Sequence, residues 1–451
     1  MMYGVMAGGL MCILVSLSLN SFLLWSSLLV GVGILFSLSI SLVNTQMSGI
    51  VCNSMEFISG SFSEVMVLLT MWVYMLSLMV SDKMSVEGPQ SSYFTVLGLL
   101  ALICSIFFSV SDFFFMYLFF EGALIPIIFM ILGWGRQPER FEAGLYMLVY
   151  TIMGSLPLLL GLLWLWGVNT SSFFLLQVHP GGYFEGSLAI MTISLAFCIK
   201  MPIFSVHGWL PKAHVEAPVA GSMMLAGVLL KMGVYGLLMF YWAMEVNYIW
   251  LFEAISIISL IGGVISGLMC LYQSDTKALI AYSSVAHMCF LMVGLMSLGW
   301  VGWEGVILMA LSHGICSPWL FFLANYLSEM GGTRSLYLLK GVLLVSPLLM
   351  LSLFLGVCSN MAIPPCVALV AELSLFMSGV FFSFSMAVPM MLLCFFAAVY
   401  SLNLYSMVSH GSISTGMKLE SGMNSRCALG SMMAGLPLWL GIFMLDIFSL
   451  N

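Results

Sequence analysis

Runs of about twenty apolar residues recur along almost the entire chain. They fall at about 5–20, 21–43, 64–80, 93–111, 113–133, 142–166, 187–210, 218–244, 251–272, 277–297, 304–328, 341–385, 387–408 and 431–449. A run of that length is what an α-helix needs to cross a hydrocarbon layer of roughly 30 Å. Strands of a membrane barrel would alternate polar with apolar residues, and these runs do not. Only 6% of the 451 residues are charged and 62% are hydrophobic, too little charge to furnish a water-facing surface. The expected fold class is therefore an all-α polytopic membrane protein. The first residues, MMYGVMAGGLMCILVSLSLN, lack a basic n-region and any Arg-rich stretch, so they read as an uncleaved first helix.

The other compositional signals are weaker. A net charge of −7 spread thinly over loops argues for no nucleic-acid partner. Eleven cysteines stand singly, without CxxC or CxxCH, and read as small apolar packing residues rather than metal or haem ligands. Forty methionines fit either a codon table that reads an extra codon as Met, as in some organelle genomes, or flexible core packing.

The stretch 341–385 is too long for one straight span and holds Asn360 and Pro364-Pro365 near its middle. It is either one crossing by a broken helix or two crossings, and the basic residues choose. Taken as one crossing it gives fourteen helices, and Lys83, Arg136, Arg140, Lys212, Lys277, Arg334, Lys340, Lys418 and Arg426 all follow odd-numbered ones. The even-numbered loops contain no Lys or Arg. Lys/Arg bias across a membrane predicts that alternation for a correct count, with both termini facing away from the basic side.

Two basic residues remain, Lys200 and Lys231, and both lie within helices. A charge at bilayer depth costs roughly 2.5–3.5 kcal/mol on an insertion scale. Lys200 lies near Pro202 and is partly explained as a lysine reaching from a helix end. Lys231 is not, because it lies thirteen residues beyond Pro218, about 20 Å along a helix. The same test applied to acids isolates Glu121 in FFFMYLFFEGALIP and Glu372 in PPCVALVAELSLF, each a candidate partner for a buried lysine. A Lys200–Glu121 ion pair is expected. Glu139, Glu142, Glu216, Glu245, Asp275 and Glu329 fall at helix ends and read as solvated caps or loop charges.

Histidines extend the set. His207 follows Lys200 by seven residues and His214 follows His207 by seven, with Pro211 between them. His287 and His313 lie inside the tenth and eleventh helices. One buried histidine is usually a hydrogen-bonded core residue. Four in consecutive crossings beside buried Lys and Glu read as a proton path, since imidazole exchanges protons near neutral pH. Two halves of similar organisation follow: 91–247 (helices 4–8) and 248–410 (helices 9–13), each with a Pro-interrupted helix, after N-terminal helices in 1–90 and before a loop and helix in 411–451. Paired broken helices mark transporters built from inverted repeats.

The motifs FFEGALIP, GWGRQPERFEAGLYMLVYT, KMPIFSVHGWLPKAHVEAPVAGSMMLAGVLLKMGVYGLL, DTKALIAYSSVAHM and LSHGICSPWLFFLANY closely resemble the NADH dehydrogenase subunit 4 family. These are mitochondrially encoded, antiporter-like membrane subunits of respiratory complex I. The resemblance covers about 90–410. It implies two inverted five-helix repeats with discontinuous helices 7 and 12. It also implies proton translocation at Glu121, Lys200, Lys231 and Glu372, with His207, His214, His287 and His313 as relay. Glu142 departs from the family pattern, where a neutral residue is more usual. No flavin, iron–sulfur cluster or quinone is implied in this chain. NADH, FMN, iron–sulfur clusters and ubiquinone are implied elsewhere in the complex. The implied partners are other membrane-arm subunits, including neighbouring antiporter-like ones, and lipids. The implied location is the mitochondrial inner membrane, with both termini on the intermembrane-space side.

The expected function is proton translocation within a redox-driven pump. Its rivals are a cation/proton antiporter of the same fold, a haem protein using His287 and His313, and a passive scaffold. The scaffold has no need of four central charges.

Overall fold

The structure is a computed structural model that describes residues 51–54, 57–59, 61–81, 90–169, 183–243, 249–413 and 425–442. The predicted crossings at 5–20 and 21–43 lie outside the described residues, as do Lys83 and Lys418. Described residues open with a small antiparallel hairpin, β1 (Val51–Ser54) and β2 (Phe57–Ser59), that the hydropathy pattern did not announce. Among the described residues the later named elements are all helical.

The first group is α1 (Ser61–Val80), α2 (Gln90–Ser109), α3 (Phe113–Gly122), α4 (Leu124–Trp134), α5 (Arg140–Asn169), α6 (Tyr183–Lys200) and α7 (Trp209–Glu216). Then come α8 (Val219–Met224), a π turn (Leu225–Leu229) and α9 (Leu230–Ala243), which run on as one span. The second group is α10 (Ile249–Tyr272), α11 (Thr276–Met296), α12 (Trp300–Gly331), α13 (Val342–Val345), α14 (Pro347–Asn360), α15 (Val367–Phe382), α16 (Ala387–Ser409) and α17 (Ser425–Leu440). Among the described residues nine spans are long and apolar enough to cross a membrane, and shorter apolar helices include α14, α15 and the end of α6. Each predicted segment within the described residues overlaps at least one helix.

Both predicted interruptions are present. α6 stops at Lys200, and Pro202 follows where its missing N–H and ring would break the ladder. A 3₁₀ turn (Phe204–Val206) intervenes before the short α7. In the second half α14 stops at Asn360, and the chain turns through Ala362 at φ 56° and a cis Pro364-Pro365 bond before α15. At 1.5 Å per residue α14 and α15 are about 21 and 24 Å long, each short of a full span. A third, smaller interruption divides α3 from α4 just after Glu121, three residues before Pro126.

The basic loops come together at one end of the molecule. Lys212 pairs with Glu142 at 2.7 Å and lies over the Tyr146 ring, which is the place found for the atypical Glu142. Arg140 donates to the Gly135 carbonyl, and Arg334 reaches across to the Val215 carbonyl at 3.1 Å. Lys277 donates to the Ala217 carbonyl at 3.1 Å. These contacts join loops that follow the fifth, seventh, ninth and eleventh predicted segments, so their positive charge shares one face.

The interior is packed through close helix crossings rather than by water exclusion, as hydrocarbon offers no hydrophobic drive between helices. Gly227 in the π turn and Gly314 in α12 make the central one. A Cβ on Gly227 would come within 2.9 Å of Pro318 and Val73, and one on Gly314 within 2.7 Å of Leu69 and 3.3 Å of the Gly227 carbonyl. A side chain at Gly227 would displace Pro318 or Val73, and one at Gly314 would need Leu69 to give way, so the two helices meet closely here and Lys231 and His313 come side by side.

Candidate functional site

Lys231 is fully buried. Its Nζ donates to the Ala226 carbonyl at 2.7 Å and lies 2.8 Å from His313 Nδ1. The sequence offered no local partner in LAGVLLKMG, and the π turn supplies one. Widening the helix by a residue turns carbonyls off their usual partners, which is why π turns gather at functional sites. His313 stands where α12 is itself loosened, because Pro318 cannot donate to the Gly314 carbonyl and Ser317 instead gives its hydroxyl to the His313 carbonyl at 2.8 Å.

From His313 the line continues. The rings of His313 and His287 are 5.5 Å apart, centre to centre. His287 Nδ1 is 3.9 Å from Glu372 Oε1, and Tyr400 lies 3.3 Å from His287 Nε2. Glu372 sits in α15, on the far side of the break, and its side chain is 15% exposed. A cavity of about 10 Å³, room for about one water, lies among His287, Glu372, Cys394 and Tyr400. Four of the eight predicted site residues thus form one contiguous series across α9, α12, α11 and α15.

The other four are dispersed over the first half. Lys200 is 3% exposed, but the expected ion pair with Glu121 is not formed. Its Nζ donates instead to the Phe120 carbonyl at 2.6 Å and sits 3.4 Å above the Phe120 ring. The break between α3 and α4 explains this, since it leaves backbone acceptors at the same depth as the carboxylate. Glu121 is half-buried and lies beside Tyr117 one turn earlier. His207, half-buried, bonds through Nδ1 to the Phe204 carbonyl and stacks on the Phe204 ring. His214 is fully buried, stacked on Phe321 at 4.7 Å, and neither ring nitrogen has a hydrogen-bond partner among the described residues. Among the described residues no hydrogen bond links Lys200 to Lys231.

Glu216, read from sequence as a solvated cap or loop charge, is buried, and so is Lys277, counted among the basic residues that follow odd-numbered helices. Lys277 and Glu216 are each 4% exposed. The available signal was position: Lys277 falls in the first turn of α11, where the helix dipole opposes a cation, so something else must hold it there. Tyr400 carried no signal, being one aromatic among many.

Residues 110–401 match a family model described as NADH:quinone oxidoreductase/Mrp antiporter, transmembrane region. In overall fold the chain resembles a chain of respiratory complex I from Thermus thermophilus, with a TM-score of 0.85, 21% identity and 99% of each chain covered. It also resembles a chain of the Mrp complex from a Dietzia species, with a TM-score of 0.83, 18% identity, and 99% of this chain and 94% of that one covered. In sequence it is 45% identical over 368 residues to NADH-ubiquinone oxidoreductase chain 4 of Ceratitis capitata, covering 80% of this chain and 81% of the relative. The chain belongs to the NADH-ubiquinone oxidoreductase chain 4 family.

Proposed function

We propose that the chain is a proton-translocating membrane subunit of respiratory complex I, in which NADH-to-ubiquinone electron transfer elsewhere drives protons through buried Glu, Lys and His. The observation that carries this reading is the series Lys231–His313–His287–Glu372. A lysine at this depth costs several kcal/mol unless it is held by partners, and here a titratable imidazole is one of them. Lys200 is the loading site of the first half, and Glu121 acts on it through space while the Phe120 carbonyl and ring hold the ammonium. When that field changes, the proton of Lys200 moves by way of water and His207 or His214 to Lys231, then through His313 and His287 to Glu372.

This chain carries no redox chemistry of its own. NADH, FMN, iron–sulfur clusters and ubiquinone belong to the rest of the complex, and the partners are other membrane-arm subunits and lipids. The chain has fourteen crossings in two inverted repeats, 91–247 and 248–410, between helices in 1–90 and a loop and helix in 411–451. It is multi-pass in the mitochondrial inner membrane, with both termini on the intermembrane-space side and the basic loops opposite. A cation/proton antiporter shares the fold, but family membership favours the oxidoreductase.

Lys231→Met tests the reading. Removing a buried charge should preserve folding and assembly while abolishing proton transfer through this subunit. Complexes with Lys231→Met that pump at the parental proton-to-electron ratio would make Lys231 merely structural.

A further inference from the structure

At the basic end, a second group of buried titratable side chains stands apart from the series that ends at Glu372. Glu216 closes α7, and one of its carboxylate oxygens is buried without a hydrogen-bond partner among the described residues. Its neighbour Ala217 accepts a hydrogen bond from Lys277 Nζ. His214, two residues before Glu216, has both ring nitrogens unpartnered. Arg334 takes the Val215 carbonyl, so the last carbonyls of α7, its negative pole, face two cations. That offsets what Lys277 loses by lying buried at the positive pole of α11.

A purely structural buried network satisfies its members, because each unpaired group costs the full loss of its hydration. Here the carboxylate and imidazole keep open hydrogen-bonding positions, next to a lysine held by one backbone carbonyl. Asp275, Glu139, Arg136 and Arg334 are the charges acting on the group from the neighbouring loops.

We infer that Glu216 and Lys277 form a proton gate between the aqueous basic end and His214. The inference rests on the proton-path reading, which already includes His214 but neither of these two residues. In the inward step the Glu216 O–H bond breaks as its proton passes through intervening water, and an N–H bond forms on the neutral Lys277 amine. The resulting ammonium gives a proton by the same means to the His214 imidazole, and the carboxylate regains one from water at the basic end. The same steps in reverse release a proton. Arg334 cannot exchange a proton and contributes only a fixed positive charge.

The rival explanation is a tie: Lys277 fastens α11 to the α7–α8 junction and nothing more. Arginine separates the two, because it keeps the cation and the carbonyl contact but does not release its proton. Complexes carrying Lys277→Arg, Lys277→Met, Glu216→Gln and Lys231→Met are reconstituted in sealed vesicles, and protons moved per NADH oxidised are measured with turnover. For a gate, Lys277→Arg fails as badly as Lys277→Met, and Glu216→Gln fails with them, each slowed about tenfold or more. Parental pumping by Lys277→Arg overturns the proposal. If Lys231→Met is inactive while the Glu216 and Lys277 variants pump normally, the gate is wrong and the path stands. If Lys231→Met also pumps normally, the path itself is wrong. Where Lys277 variants do not assemble, Glu216→Gln decides alone, since it keeps the size of the carboxyl, and normal pumping overturns the gate.

Discussion

At the scale of single residues, Lys231 has one side-chain partner, His313, and one backbone partner. His313→Leu should therefore destabilise the assembled complex by about 3–5 kcal/mol, the cost of stranding a buried charge. Lys231→Met added to the same chain should recover most of that loss without recovering pumping, which thermal unfolding and vesicle assays together would check. Glu121→Gln should behave differently. The Lys200 ammonium is seated on Phe120, so stability should fall by well under the ~3–5 kcal/mol of a broken buried pair, while pumping drops because the carboxylate's field is gone. A melting shift as large as that of His313→Leu would mean that Glu121 holds Lys200 directly. The charged members of the site were legible because each is an isolated charge in an apolar run. Their partners were not: the Ala226 and Phe120 carbonyls have no sequence signature, since only a local departure from the helix makes a carbonyl available.

At the scale of helices, the decisive feature is the crossing at Gly227 and Gly314. Gly314→Val would force side-chain atoms into Leu69 and the Gly227 backbone, an overpacking cost of about 1–3 kcal/mol. The expected result is a complex that still assembles, melts lower, and pumps poorly because His313 is displaced from Lys231. Parental pumping at reduced stability would show that the crossing serves packing alone. The interruptions after Lys200 and Asn360 were readable from Pro202 and Pro364, because proline acts through its own ring and missing donor. The π turn was not readable. LAGVL is an ordinary helical sequence, and the close approach of α12 and α1 at Gly227 is visible only in the folded molecule. The burial of Lys277 and Glu216 was missed for a related reason, since segments 60 to 119 residues apart meet around them only in the folded molecule.

At the scale of the whole molecule, large apolar side chains such as Leu145, Leu160, Ile261, Met391 and Phe395 lie exposed on α5, α10 and α16, as hydrocarbon-facing surfaces require, while the ionisable groups run through the interior. Because the chain acts on electron transfer only through the assembly, Glu372→Gln should slow NADH oxidation although no redox group is near it. A protonophore should not restore the rate, as the block is a proton step inside protein rather than back-pressure from the membrane. Recovery with protonophore would locate the fault in back-pressure instead. The π turn bears on this scale as well, because it makes the register of α9 a matter of counting. Loss of one codon anywhere in Leu225–Leu229 would let the turn relax to a regular α-helix, with hydropathy nearly unchanged. Lys231 would then lose the widened turn that offers it the Ala226 carbonyl. The length of this five-residue piece, more than its composition, is what inheritance must preserve here.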